Sequence, residues 1–76
     1  MTRVYLKVST ALGKERAVRD ALRRIPGVKS ADLVTGEEDI IAVLEGKDLE
    51  DVTQVILKKV RGIRGVVHTT THVVVE

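Results

Sequence analysis

A chain of 76 residues, 43% hydrophobic and 32% charged, is one small domain with an ordinary soluble composition, expected to bury only about 60% of its unfolded surface. It contains no cysteine, which excludes a disulfide framework, thiol chemistry and thiolate metal sites. Thirteen basic residues against eleven acidic ones leave a net charge of +2, too small to mark a strongly basic, polyanion-binding chain.

Tyr5 is the single aromatic residue, so the core must be assembled from Val, Ile, Leu and Ala. The absence of Asn, with one Gln and one Met, faintly matches thermophile usage. No apolar run is long enough to span a bilayer, and Met1 leads straight into a strand pattern instead of a signal peptide. A cytoplasmic location with no membrane partner is expected.

In chain order, Arg3 to Ser9 alternate, with Val4, Leu6 and Val8 on one side and Arg3, Tyr5 and Lys7 on the other. Thr10 to Gly13 turn the chain into a helix. From Lys14 to Ile25 the apolar residues Ala17, Val18, Ala21, Leu22 and Ile25 form one stripe, and Pro26-Gly27 ends it. Val28 to Val34 and Ile40 to Glu45 read as the second and third strands. Asp48 stands where an N-cap belongs, with Glu50 and Asp51 in the first helical turn. Leu49, Val52, Ile56 and Val60 form the expected buried stripe of this second helix, and Lys58, Lys59 and Arg61 suit its C-terminal dipole. Gly62 to Gly65 end it, and Val66 to Val75 read as a last strand.

Between the second and third strands lies the most informative stretch. Thr35 to Asp39 are five connecting residues of a β-hairpin, with Gly36 the natural site of a positive φ. Glu37, Glu38 and Asp39 make it the most acidic locality of the chain. Such a tip is either simply solvated or a grip of backbone N–H groups and carboxylates for a small molecule.

The two halves repeat at an offset of 38 residues, relating Leu6 to Leu44, Thr10 to Asp48, and Ile25-Pro26-Gly27-Val28 to Ile63-Arg64-Gly65-Val66. Each half is strand–helix–strand. Joined by the hairpin, they predict an α+β, ferredoxin-like βαββαβ fold, with an antiparallel sheet in the order 4-1-3-2 and both helices on one face. The uncovered face then carries Tyr5, Ile41 and Val43, with Val73 and Val75 expected to join them from the last strand. Large aliphatics on a face that usually reads polar predict a homodimer packed sheet to sheet.

Most chemistry can be set aside. His68 and His72 would lie about 13 Å apart on a strand, too far to share a metal ion, and read as surface or interface residues. One tyrosine makes no base-stacking platform. Arg16, Arg19 and Arg23 share a helix stripe, but Glu15 and Asp20 interrupt it, and a solvated face accounts for it better than phosphate contacts. No serine or threonine has a base partner in sequence, and the hairpin acids offer no reason for a raised pKa, so no catalytic residue and no cofactor are expected.

What remains is recognition. The run Val34-Thr35-Gly36-Glu37-Glu38-Asp39-Ile40-Ile41, followed by Gly65-Val66-x-x-Thr69-x-Thr71, resembles the effector-binding (RAM) domain of the Lrp/AsnC feast/famine transcriptional regulators. The resemblance covers essentially residues 1–76 as a single domain. It implies dimers formed through the sheets, assembly into octamer- or decamer-like rings, and an amino acid or close relative held between dimers near the hairpin. It further implies that the Gly36 and Glu37 backbone meets the ligand, that Asp39 accepts from its ammonium group or holds the hairpin, and that Thr35, Glu38, Thr69 and Thr71 line the remainder. The chain begins at the first strand, so it resembles the stand-alone type without the helix-turn-helix reader. No direct DNA binding is expected, though a full-length Lrp-like regulator is a conceivable partner. The alternative is a ligand-free structural module of such regulators.

Overall fold

Alternation makes the first segment a strand because Val4, Leu6 and Val8 can then be buried completely on one side. In the computed structural model, which describes residues 1–36 and 39–75, this strand is β1 (Thr2–Thr10). It is followed by α1 (Glu15–Arg23), β2 (Val28–Leu33), β3 (Ile40–Gly46), α2 (Leu49–Val55) and β4 (Val66–Val73). All strand pairs are antiparallel and the order is β2-β3-β1-β4, which is 4-1-3-2 read from the other edge. The ferredoxin-like arrangement expected from the repeat is the one observed.

Val18 and Leu22 of α1 and Val52 of α2 close over Val4, Leu6, Val8, Ala31, Ile40, Ala42 and Leu44. Each fully buried leucine or valine there contributes about 1.5–3 kcal/mol. Among the described residues no helix is long and apolar enough to cross a membrane.

The internal repeat is visible in the backbone. Gly27 and Gly65 have φ of 98° and 103°, values that side chains disfavour. The following Val28 and Val66 N–H groups donate to the carbonyls of Ile25 and Ile63 at 3.1 and 3.2 Å. The two helix starts differ. Asp48 caps α2 by accepting from the Asp51 N–H at 2.8 Å, and the Asp51 carboxylate reaches back one residue further to accept from the Lys47 N–H at 3.2 Å. Lys14, the N-cap residue of α1, makes no side-chain cap.

Several expectations are corrected. The helix begins at Glu15 and ends at Arg23, one and two residues inside the anticipated limits. Ala17 is exposed, and Leu49, at the very start of α2, is 49% exposed because it precedes the turn that lies over the core. The end of α2 passes into a π-helical turn, Ile56–Val60, closed by the Arg61 N–H on the Ile56 carbonyl at 3.0 Å. That turn keeps both Ile56 and Val60 buried. Finally, Val73 lies opposite Val4. Direct partners in an antiparallel pair share a face, so Val73 falls on the helix side of the sheet and not beside Tyr5, Ile41 and Val43. Val75 lies beyond the end of β4, almost fully exposed.

Candidate functional site

The hairpin is closed by the Leu33–Ile40 pair and by the Val34 N–H donating to the Asp39 carbonyl at 3.0 Å. Gly36 has φ 132°, and a Cβ added there would meet nothing within 4 Å. Its glycine is therefore a conformational requirement, not a steric one. Thr35 and Gly36 are exposed; Glu37 and Glu38 lie outside the described residues.

Asp39 ties this hairpin to the end of β1. Its Oδ2 accepts from the Thr10 N–H at 2.8 Å and from the Thr10 hydroxyl at 3.3 Å. Its own N–H donates to the Val8 carbonyl at 3.1 Å. The β1–β4 register shifts between Ser9 and Thr10, immediately where the carboxylate takes the Thr10 N–H. A local Asx turn would have bonded two residues ahead; this contact reaches 29 residues back. Asp39 therefore holds the hairpin to the end of β1, and hydrogen bonds to a charged group contribute about 1.5–3 kcal/mol.

Beside the hairpin runs an open groove of about 490 Å³, lined by Gly13, Glu15, Arg16, Leu33, Val34 and Asp39. It sets one guanidinium and two carboxylates around an aliphatic wall. Glu15 accepts from the Gly13 N–H at 3.3 Å, while Arg16 makes no ion pair among the described residues. Gly13, Glu15 and Arg16 were missed as site residues by sequence reasoning, because only the closed sheet brings the start of α1 to the hairpin. Arg16 was noticed only as part of a helix stripe. The rest of that stripe is occupied: Arg19 pairs with Asp20 at 3.0 Å, and Arg23 donates to the Ala31 carbonyl at 2.9 Å and meets Asp32 at 3.3 Å.

Thr69 and Thr71 are elsewhere. They lie opposite Val8 and Leu6 on β4, across β1 from the hairpin strand, a separation of about 10 Å at two strand spacings. Thr69 lines a different groove with Arg61, Val66, Val67 and His68. Among the described residues, one protomer thus does not bring Thr69 and Thr71 to the hairpin.

The uncovered sheet face carries Tyr5, 43% exposed, and the half-buried Ile41 and Val43. Register places Arg3, Lys7, Glu45, Ser30, Asp32, His68, Thr70 and His72 on the same side. Arg3 pairs with its cross-strand partner Glu45 at 2.7 Å, and the hydrogen bond and charge of Glu45 raise the arginine pKa above its ordinary value. The two histidines are exposed, opposite Ser9 and Tyr5.

With this geometry established, similarity to known proteins is informative. The family model described as Lrp/AsnC ligand binding domain matches residues 3–76. An uncharacterised HTH-type transcriptional regulator of Pyrococcus horikoshii is 37% identical over 59 residues, which are 78% of this chain and 39% of that protein. The chain therefore spans about two fifths of the length of that curated relative. The crystal structure of FFRP-DM1 superposes with a TM-score of 0.94 at 36% identity, covering 99% of this chain and 100% of the other. A Neisseria meningitidis transcriptional regulator, solved as an L-Met complex, shares the fold with a TM-score of 0.86 at 21% identity, covering 99% of this chain and 50% of that one. A homocitrate synthase of Sulfurisphaera tokodaii is 37% identical over 60 residues, 79% of this chain but only 13% of the enzyme.

Proposed function

This chain belongs to the Lrp/AsnC ligand-binding domain family, and we propose that it is a regulatory module sensing an amino acid or close derivative, with the effector held at the Thr35–Asp39 hairpin where dimers meet. The observation that carries this reading is the Asp39–Thr10 tie. It fixes a hairpin with exposed backbone at Gly36 beside a groove that offers both signs of charge. A free amino acid presents a carboxylate and an ammonium a few ångströms apart, so such a groove suits it, whereas a singly charged ligand would leave one sign unmatched. The Neisseria regulator of the same fold is an L-Met complex, which supports an amino acid as the ligand class.

In this reading Thr35, Gly36, Glu37, Glu38 and Asp39 contact the effector from one protomer. Thr69 and Thr71 stand a strand away within a single chain, so their part in the site requires a second copy. Tyr5, Ile41 and Val43 supply the sheet-to-sheet dimer contact, and dimers assemble further into a ring. Action together with an HTH-type regulator accords with the relatives being transcriptional regulators.

The test is a thermal-shift screen of the full chain against the twenty amino acids at millimolar concentration. One amino acid, or a small chemical class, should raise the melting temperature, since a ligand at about 100 times its Kd adds about 2.7 kcal/mol to the native state. Gly36→Val should remove that response. A flat screen would overturn the reading.

A further inference from the structure

The two edges of the sheet are protected differently. β2 is a short edge of six residues that carries Lys29 and Asp32 and a register shift between Val28 and Ser30. Its Ala31 carbonyl already accepts from Arg23 Nε at 2.9 Å. Charges, irregular pairing and a covering side chain are the ordinary guards of an edge strand. β4 runs for eight residues made only of Val, Thr and His. Its register shift lies at its start, leaving His68 to Val73 in unbroken pairing with β1. The Val74 N–H donates to the Arg3 carbonyl at 3.0 Å, so Val74 points its backbone toward β1. Backbone groups alternate sides along a strand, so His72, Thr70 and His68 also point inward, while Val73, Thr71 and Thr69 point to the free edge. β4 is last in the strand order, and no strand of this chain takes those outward N–H and C=O groups. Thr71 and Val73 are exposed although their partners Leu6 and Val4 are completely buried, so neither helix reaches over this edge.

Charge selects the occupant. From Val52 to Val75 the chain has no Asp or Glu, while Lys58, Lys59, Arg61 and Arg64 are all exposed. No ion pair among the described residues takes any of these cations. Arg61 lines a groove of about 370 Å³ with Val66, Val67, His68 and Thr69, directly at the beginning of the edge. A row of open donors and acceptors is matched by another extended backbone, and an acid-free, basic flank is matched by carboxylates. We propose that β4 is a docking edge for an extended acidic segment of a partner protein, which adds a fifth strand along Thr69, Thr71 and Val73 and sets a carboxylate against Arg61. A second copy of this chain fits less well, because its own β4 contains no carboxylate. The added strand continues the sheet in its plane, so the hairpin groove with Arg16 and Glu15 stays open.

The probe is a fluorescein-labelled peptide of alternating Val and Thr with a pair of Glu at each end, titrated with the full chain and followed by anisotropy. It should bind, and the same peptide with Lys in place of Glu should bind at least about tenfold more weakly. Arg61→Glu should weaken binding of the Glu peptide by about tenfold, and added salt should act in the same direction. N-methylation of alternate peptide residues tests the backbone pairing. One alternating set should abolish binding, because it removes the N–H groups that face β4, and the other should leave it intact. On adding peptide, amide exchange should slow at Thr69, Thr71 and Val73, while His68, Thr70 and His72, already bonded to β1, change little. No binding at about 1 mM peptide, equal binding of the Glu and Lys peptides, or indifference to both methylation sets would overturn the proposal. So would slow exchange at Thr69, Thr71 and Val73 that grows with protein concentration in the absence of peptide, which would give the edge to a second copy.

Discussion

The carboxylate of Asp39 and the backbone N–H of Thr10 stand 2.8 Å apart, joining the tip of the central hairpin to the last residue of β1. With the Thr10 hydroxyl also directed to Oδ2, one side chain fixes the hairpin and the loop that carries Leu12. Asp39→Ala should therefore lower stability by about 1–3 kcal/mol, the range for leaving hydrogen-bonding groups without a charged partner. Asp39→Asn, which can still accept, should cost less. Urea denaturation midpoints at constant m-value check both.

The glycines separate two kinds of requirement. At Gly65 a Cβ would lie 2.9 Å from the Lys14 Cβ and 3.1 Å from Val18 Cγ2, and φ is 103°. Gly65→Ala thus suffers both crowding and backbone strain, together about 2–5 kcal/mol. At Gly36 the Cβ would meet nothing, and Gly36→Ala should cost only the conformational part, about 1–3 kcal/mol. Equal losses in thermal unfolding would contradict this ordering.

Core truncation gives the reference scale. Leu22→Ala in α1 and Leu6→Ala in β1 remove completely buried side chains and should each cost about 2–5 kcal/mol. Leu57→Ala, on the exposed side of the same helix layer, should stay within about 0.5 kcal/mol. Chemical denaturation of the three variants under one buffer makes the comparison.

Arg3 and Glu45 form an exposed cross-strand ion pair. Because the folded-state pKa of Arg3 is raised, the pair's contribution is complete below the unfolded arginine value and lost only as pH climbs through the folded one. No loss from this arginine is expected between neutral and mildly alkaline pH. A double-mutant cycle on Arg3→Ala and Glu45→Ala should show a small coupling that disappears in molar salt. A coupling that survives such salt would refute the solvent-screened picture.

Much of the fold was legible because its signals are local. The alternation of Val4, Leu6 and Val8, the same alternation in Ile40, Ala42 and Leu44, and the cap at Asp48 each depend on residues within one element. The 38-residue repeat then left one economical topology. The misreadings arise where distant segments meet. Which face Val73 occupies is set by its pairing with Val4, which is not written in the VVV run itself. The Thr10–Asp39 tie and the approach of Arg16 to Leu33 and Val34 exist only after β1 and β3 pair. Leu49 has helical spacing with Val52, but spacing cannot show that the first residue of a helix overhangs the core.

Tyr5 is the one phenol in the chain and sits on the uncovered face of the sheet, while the interior contains no ring at all. Near-ultraviolet absorbance and intrinsic emission consequently report on that outer surface and are silent about the packing inside. Optical melting curves at these wavelengths will follow whatever covers or uncovers the sheet, and the loss of the aliphatic interior must be watched through the amide bands instead.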